Sequence, residues 1–166
     1  MKITSLERII AITQFLLAIF ILWFVIDSFN TIISFWEKPS YYGGQKVTKA
    51  LLFRTYHFDA LFSTISIISS IGLILQKRWG WISSIIVWFT YSTTAIISIL
   101  RLAMKKPNWD ISEISFWGLL PIIFLIIGSL LVTRQFKEKY NPNQNTFIAI
   151  ITVIIIFSLD KLLIHR

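Results

Sequence analysis

His57, Asp59 and Arg101 are the side chains through which this chain could hold an ion or pass a proton, and each lies in or beside a long apolar run. At 100° per residue, Asp59, Ser63, Ser66, Ser70 and Lys77 fall within about 60° of one another on a helix. Ser83, Thr90, Thr94, Ser98 and Arg101 fall within about 80° on the next. The two runs meet at Gln76-Lys77-Arg78-Trp79-Gly80-Trp81. A tight hairpin centred on Gly80 sets residues whose numbers sum to about 160 at equal depth. That arithmetic pairs Asp59 with Arg101, Ser63 with Ser98, Ser66 with Thr94, Ser70 with Thr90 and Lys77 with Ser83. The expectation is a polar seam of Asp59, Ser63, Ser66, Ser70, Thr90, Thr94, Ser98 and Arg101, with an acid meeting a base at its open end.

Two readings of that seam stand side by side. Interhelical hydroxyls are ordinary glue in a bilayer, worth about 0.6 kcal/mol each, and an acid–base pair at the edge offsets the cost of placing Arg101 near lipid. The functional reading starts from alternation. Successive spans reverse direction, so Asp27, His57, Glu113 and Asp160 gather at one membrane face with Asp59 and Arg101. An ionisable cluster leading into hydroxyls can bind an ion, a headgroup or a small polar solute.

Signatures of catalysis are missing from the sequence. It has no phosphate loop, His-Glu-x-x-His, Gly-x-Ser-x-Gly or zinc spacing. His57 and Asp59 are two apart and point about 200° away from each other on a helix, so they do not share a face. There is no cysteine, hence no thiolate metal ligand, cysteine nucleophile or disulfide. Gly43-Gly44 reads as a turn, and no serine or threonine has an obvious base beside it. The expectation is a non-enzyme without metal or cofactor.

Composition identifies the solvent. Of 166 residues, 55% are hydrophobic and 14% charged, and the mean hydropathy is +0.72. Soluble domains carry about 25% charged residues. A span of roughly 20 apolar residues crosses about 30 Å of hydrocarbon, and such runs recur. The predicted fold is all-α: one domain, residues 1–166, forming a polytopic transmembrane bundle of about five spans at 9–28, 56–76, 79–102, 114–133 and 146–164. The run after Arg8 is too long for a signal peptide and lacks a small-residue cleavage site, so it is expected to be retained. In span 4, Ser115, Gly118, Pro121, Gly128 and Ser129 share about 140° of helix, a surface that lets helices approach closely. Pro39–Gly44 reads as a turn, with Trp36, Tyr41 and Tyr42 at the headgroups. Residues 134–142 read as a polar, basic connection.

The net charge of +8 is spread between apolar runs, as topology determinants and headgroup contacts are, and nucleic-acid binding is not expected. Dense cations at Lys77-Arg78 and at Arg134, Lys137 and Lys139, against span ends, place the N-terminus inside. The opposite side has more cations in total (nine, counting Lys38 and Arg166), but they are diluted by acids and loop length. An Ile- and Lys-rich, Gly- and Ala-poor composition points to a bacterial inner membrane. The expected role is a membrane-embedded accessory or interaction protein, in contact with the lipid bilayer and with other membrane proteins or further copies of itself. The alternatives are a component of a small-solute or ion transporter or channel using the seam, and then an intramembrane lipid-modifying enzyme.

Overall fold

The computed structural model describes residues 4–34, 41–42, 45–46, 48–105 and 111–164. Every expected span is helical. Helix α1 is Ser5–Ser34, α2 Lys49–Ile74, α3 Arg78–Lys105, α4 Ile111–Leu131 and α6 Gln144–Ile164. Between α4 and α6 lies the short α5, Arg134–Tyr140, bent 51° from α4. Two-residue strands Tyr41–Tyr42 and Gln45–Lys46 pair in the α1–α2 connection. Among the described residues four helices are long and apolar enough to cross a membrane, or five if the bent pair α4–α5 is one span. At 1.5 Å per residue even the 21-residue α6 covers about 31 Å, one hydrocarbon thickness.

Local chemistry explains where these helices begin and end. Thr4 and Glu7 form a reciprocal capping box: the Thr4 N–H donates to Glu7 Oε2 at 2.8 Å and the Glu7 N–H donates to Thr4 Oγ1 at 3.2 Å. Asn143 caps α6, its Oδ1 accepting the Thr146 N–H at 2.9 Å. α5 ends at Asn141, which adopts the left-handed conformation Asn tolerates (φ 44°, ψ 59°). Most of the 134–142 segment predicted as a connection is thus about two turns of helix, Arg134–Tyr140. It is held because Phe136 and Tyr140, four apart, are both buried.

The hairpin between α2 and α3 turns at Gln76, not at Gly80. Gln76 has φ 55°. The Lys77 N–H reaches Gly72 O at 2.9 Å and the Gln76 N–H reaches Leu73 O at 3.0 Å, the double bond of a Schellman close with Gln76 where glycine is usual. Gly80 lies inside α3 and serves a different purpose. A β-carbon there would stand 2.1 Å from the Gly72 carbonyl carbon, so the two helices touch backbone to backbone at Gly72 and Gly80.

Around that contact α1 packs on α2, α2 on α3, and α3 on both α4 and α6. α3 and α6 run parallel, with Arg78 bonded to Thr146 at one end and Thr93 to Ser158 further along. Trp81, Trp88, Leu73, Ile85 and Leu131 fill the core near the turn. Phe58, Phe62, Val87 and Tyr91 fill it toward the other end. Trp81 Nε1 donates to Leu131 O at 2.8 Å, satisfying a carbonyl at the end of α4.

The small residues of α4 divide between two surfaces. Pro121 and Gly128 are buried. A β-carbon on Gly128 would meet the Phe89 ring at 3.0 Å, and Ser92 of α3 donates to Pro121 O at 2.9 Å. Gly118 has open space in front of its α-carbon and Ser129 is exposed. The Ser115 side chain and the Pro39 turn lie outside the described residues, as do the aromatic side chains assigned there to the headgroups.

Candidate functional site

Burial of the predicted seam is observed at Ser63, Ser66, Ser70, Thr90 and Thr94. The rung-by-rung pairing is not. Ser63 turns back to Asp59 O at 2.6 Å, Ser70 to Ile67 O at 2.7 Å, Thr94 to Thr90 O at 2.8 Å and Ser98 to Thr94 O at 2.9 Å. Ser83, expected beside Lys77, bonds Trp79 O at 2.7 Å. Across the α2–α3 seam a hydroxyl bond joins Ser66 to the Tyr91 phenol at 3.1 Å. Between the hydroxyls stand rings. Phe62 meets Tyr91 edge-on at 5.6 Å and Phe157 at 4.8 Å, and Tyr91 lies 5.8 Å from Phe124.

Register explains the failed pairings. The Gly72–Gly80 contact sets equal depth where residue numbers sum to 152, not 160. Arg101 is therefore eight residues, about 12 Å, beyond the level of Asp59. Asp59 takes its partner from α6 instead, its Oδ1 3.6 Å from Lys161 Nζ. Arg101 reaches the backbone carbonyl of Leu162, near the end of α6, where a cation also meets the negative pole of the helix.

Of the ionisable cluster expected at this membrane face, His57 and Asp160 come together. His57 Nε2 is 3.2 Å from Asp160 Oδ2, and its Nδ1 is 3.0 Å from Phe53 O. Lys161 Nζ also sits 5.0 Å from the centre of the Phe58 ring. The last turns of α6 are thus held by α2 through His57–Asp160 and Asp59–Lys161, and by α3 through Arg101. Asp27 is exposed on α1 and belongs to none of these pairs, and the Glu113 side chain lies outside the described residues. The arrangement can bind charge, but its acids and bases already engage one another. Among the described residues no group of three potential metal ligands forms.

Two buried polar centres escaped the sequence reading. The first lies at the opposite face. The Glu7 carboxylate is fully buried and receives the Thr4 backbone N–H, Lys139 Nζ at 2.6 Å and the Tyr140 hydroxyl at 2.8 Å. It ties the start of α1 to α5, 132 residues away. Glu7 precedes the apolar run by two residues, and its Thr-x-x-Glu spacing was the available signal. The second is Gln14, buried in the middle of α1. Its Nε2 donates to Ser66 O at 3.0 Å and to Ser69 Oγ, fastening α1 onto α2 in mid-membrane.

Compared with known protein families, curated proteins and solved structures, the chain matches none.

Proposed function

We propose that this protein is a membrane-embedded accessory or interaction protein, acting by binding other membrane components through its outer faces and not by catalysis. The observation that carries this reading is the closure of the α2–α3 seam. Its hydroxyls are buried and bonded mostly to their own helices, and Phe62, Tyr91 and Phe157 occupy the space a solute path would need. Outer faces are correspondingly large and apolar. Only 6% of the most apolar stretch of α6 is buried, and Ile122 and Leu125 of α4 stand exposed beside Gly118 and Ser129.

A photo-crosslinking residue placed at Ile12, Ile122 or Ile151 in native membranes tests this. A discrete protein adduct confined to one of these faces supports the reading. Lipid adducts alone from every face contradict it. We further propose a bacterial inner-membrane location with the N-terminus cytoplasmic, supported by the basic α2–α3 turn and α5 sharing that end. A cysteine at Lys77 should resist an impermeant thiol reagent in intact cells, and rapid labelling would reverse the orientation.

A second reading, a transporter or channel component, draws on the half-buried His57–Asp160 and Asp59–Lys161 pairs at the mouth of the seam. Opening would require those pairs and the Phe62 cluster to separate. Ion or solute flux in proteoliposomes that is lost on Asp59→Asn would favour it.

A further inference from the structure

We infer that Arg78 and Lys137, set over the first turn of α6, form a binding site for the phosphate of an anionic lipid headgroup. Arg78 Nη2 donates to Thr146 Oγ1 at 2.9 Å, and Lys137 Nζ lies 5.4 Å from the centre of the Phe147 ring. Their contacts are consecutive residues of α6, so cations from α3 and α5 converge on one turn. Both partners are uncharged, which leaves the full positive charge of each side chain available.

The acids that could neutralise these cations are already engaged. Glu7 is bound by Lys139 at 2.6 Å, and Glu138 by Arg134 Nε at 2.6 Å. No other carboxylate among the described residues belongs to this end of the bundle, where Arg8, Lys77, Arg78 and Lys137 are exposed. The convergence is also held from beneath. Trp81 stacks on Tyr140 at 5.4 Å, meets Phe147 edge-on at 6.4 Å, and anchors its indole N–H on α4. α3, α5 and α6 therefore keep fixed positions under the two cations.

The chemistry and the depth both fit a lipid phosphate. A guanidinium offers paired donors to phosphate oxygens and an ammonium adds a point charge. Helix ends lie at headgroup level, and the half-exposed Trp79 beside Arg78 is the residue type enriched there. A phosphatidylglycerol-type headgroup keeps its net negative charge, whereas choline cancels it in phosphatidylcholine. The site does not depend on the accessory reading, because it concerns lipid and not a protein partner.

Native mass spectrometry of the full chain in mild detergent, with phosphatidylglycerol or phosphatidylcholine added, tests the site. Phosphatidylglycerol should be retained in preference to phosphatidylcholine. Arg78→Gln and Lys137→Gln should each weaken that retention roughly fivefold, the effect expected of one basic residue at an anionic surface. Lys137→Arg should preserve it. Both positions are exposed, and matching elution and helicity establish that each variant is folded. Arg8→Gln removes the same charge from α1 and should cost less. Equal losses from Arg8→Gln and Arg78→Gln would mean diffuse attraction and overturn the proposal, as would unchanged retention in both site variants. Displacement of the lipid by excess inorganic phosphate would make it a free-anion site and overturn it equally.

Discussion

Gly72 and Gly80 meet backbone to backbone, and their contact sets the register of the whole α2–α3 hairpin. A β-carbon on Gly80 would stand 2.1 Å from the Gly72 carbonyl carbon and 2.5 Å from the Leu73 nitrogen. Those are backbone atoms of a packed helix and cannot rotate aside. Everything along the hairpin, including which residues share a depth with Asp59, follows from this crossing.

Gly80→Ala should therefore destabilise the bundle by about 1–3 kcal/mol, as overpacking does. Gly118→Ala, with nothing within 4 Å of its added carbon, should be neutral or stabilising by up to about 1 kcal/mol through helix propensity. Unfolding in detergent micelles separates the two. Equal stability of Gly80→Ala and wild type would mean the helices do not cross there.

A double-mutant cycle should couple Asp59 to Lys161 and not to Arg101. The first pair is partly buried and should show about 0.5–1 kcal/mol of coupling. Asp59 and Arg101, about 12 Å apart in depth, should be additive within about 0.5 kcal/mol. Coupling with Arg101 alone would restore the register centred on Gly80.

Removing the Glu7 carboxylate should loosen α5. Glu7→Ala leaves Lys139 and the Tyr140 hydroxyl without their acceptor. The cost should be about 3 kcal/mol, the lower part of the range for breaking a buried pair, because Lys139 can extend to water at the membrane edge. Tyr140→Phe removes one hydrogen bond and should cost about 1–2 kcal/mol. Proteolysis within residues 134–142 should accelerate in both, and more in Glu7→Ala.

Span number and rough limits were legible because lipid imposes a length on apolar runs, and each predicted span is a helix. Burial of Ser63, Ser66, Ser70, Thr90 and Thr94 was legible for a related reason: small polar residues at helical spacing in a membrane run face other helices. Depth was not legible. Glycine suits both turns and close approaches, so the pattern points to Gly80 as the turn, whereas Gln76 makes it in an unusual left-handed conformation. Shifting that centre moved Asp59 from Arg101 to Lys161. The Asp160 and Lys161 contacts also required knowing that α6 lies parallel to α3, within reach of α2. Sequence gave no measure of that. Glu7 was hidden differently, since a capping box signals a helix start and not a distant partner such as Lys139.

Because the chain has no native cysteine, closure of the α2–α3 seam is directly measurable. Single cysteines introduced at Ser66, Ser70, Thr90 and Thr94 in membranes should remain unreactive toward a small water-soluble thiol reagent, while one at the exposed Lys77 reacts readily from its own side. Reaction at two or more seam positions, one helical turn apart, would reveal a water-filled path between α2 and α3 and would contradict a closed seam in favour of transport.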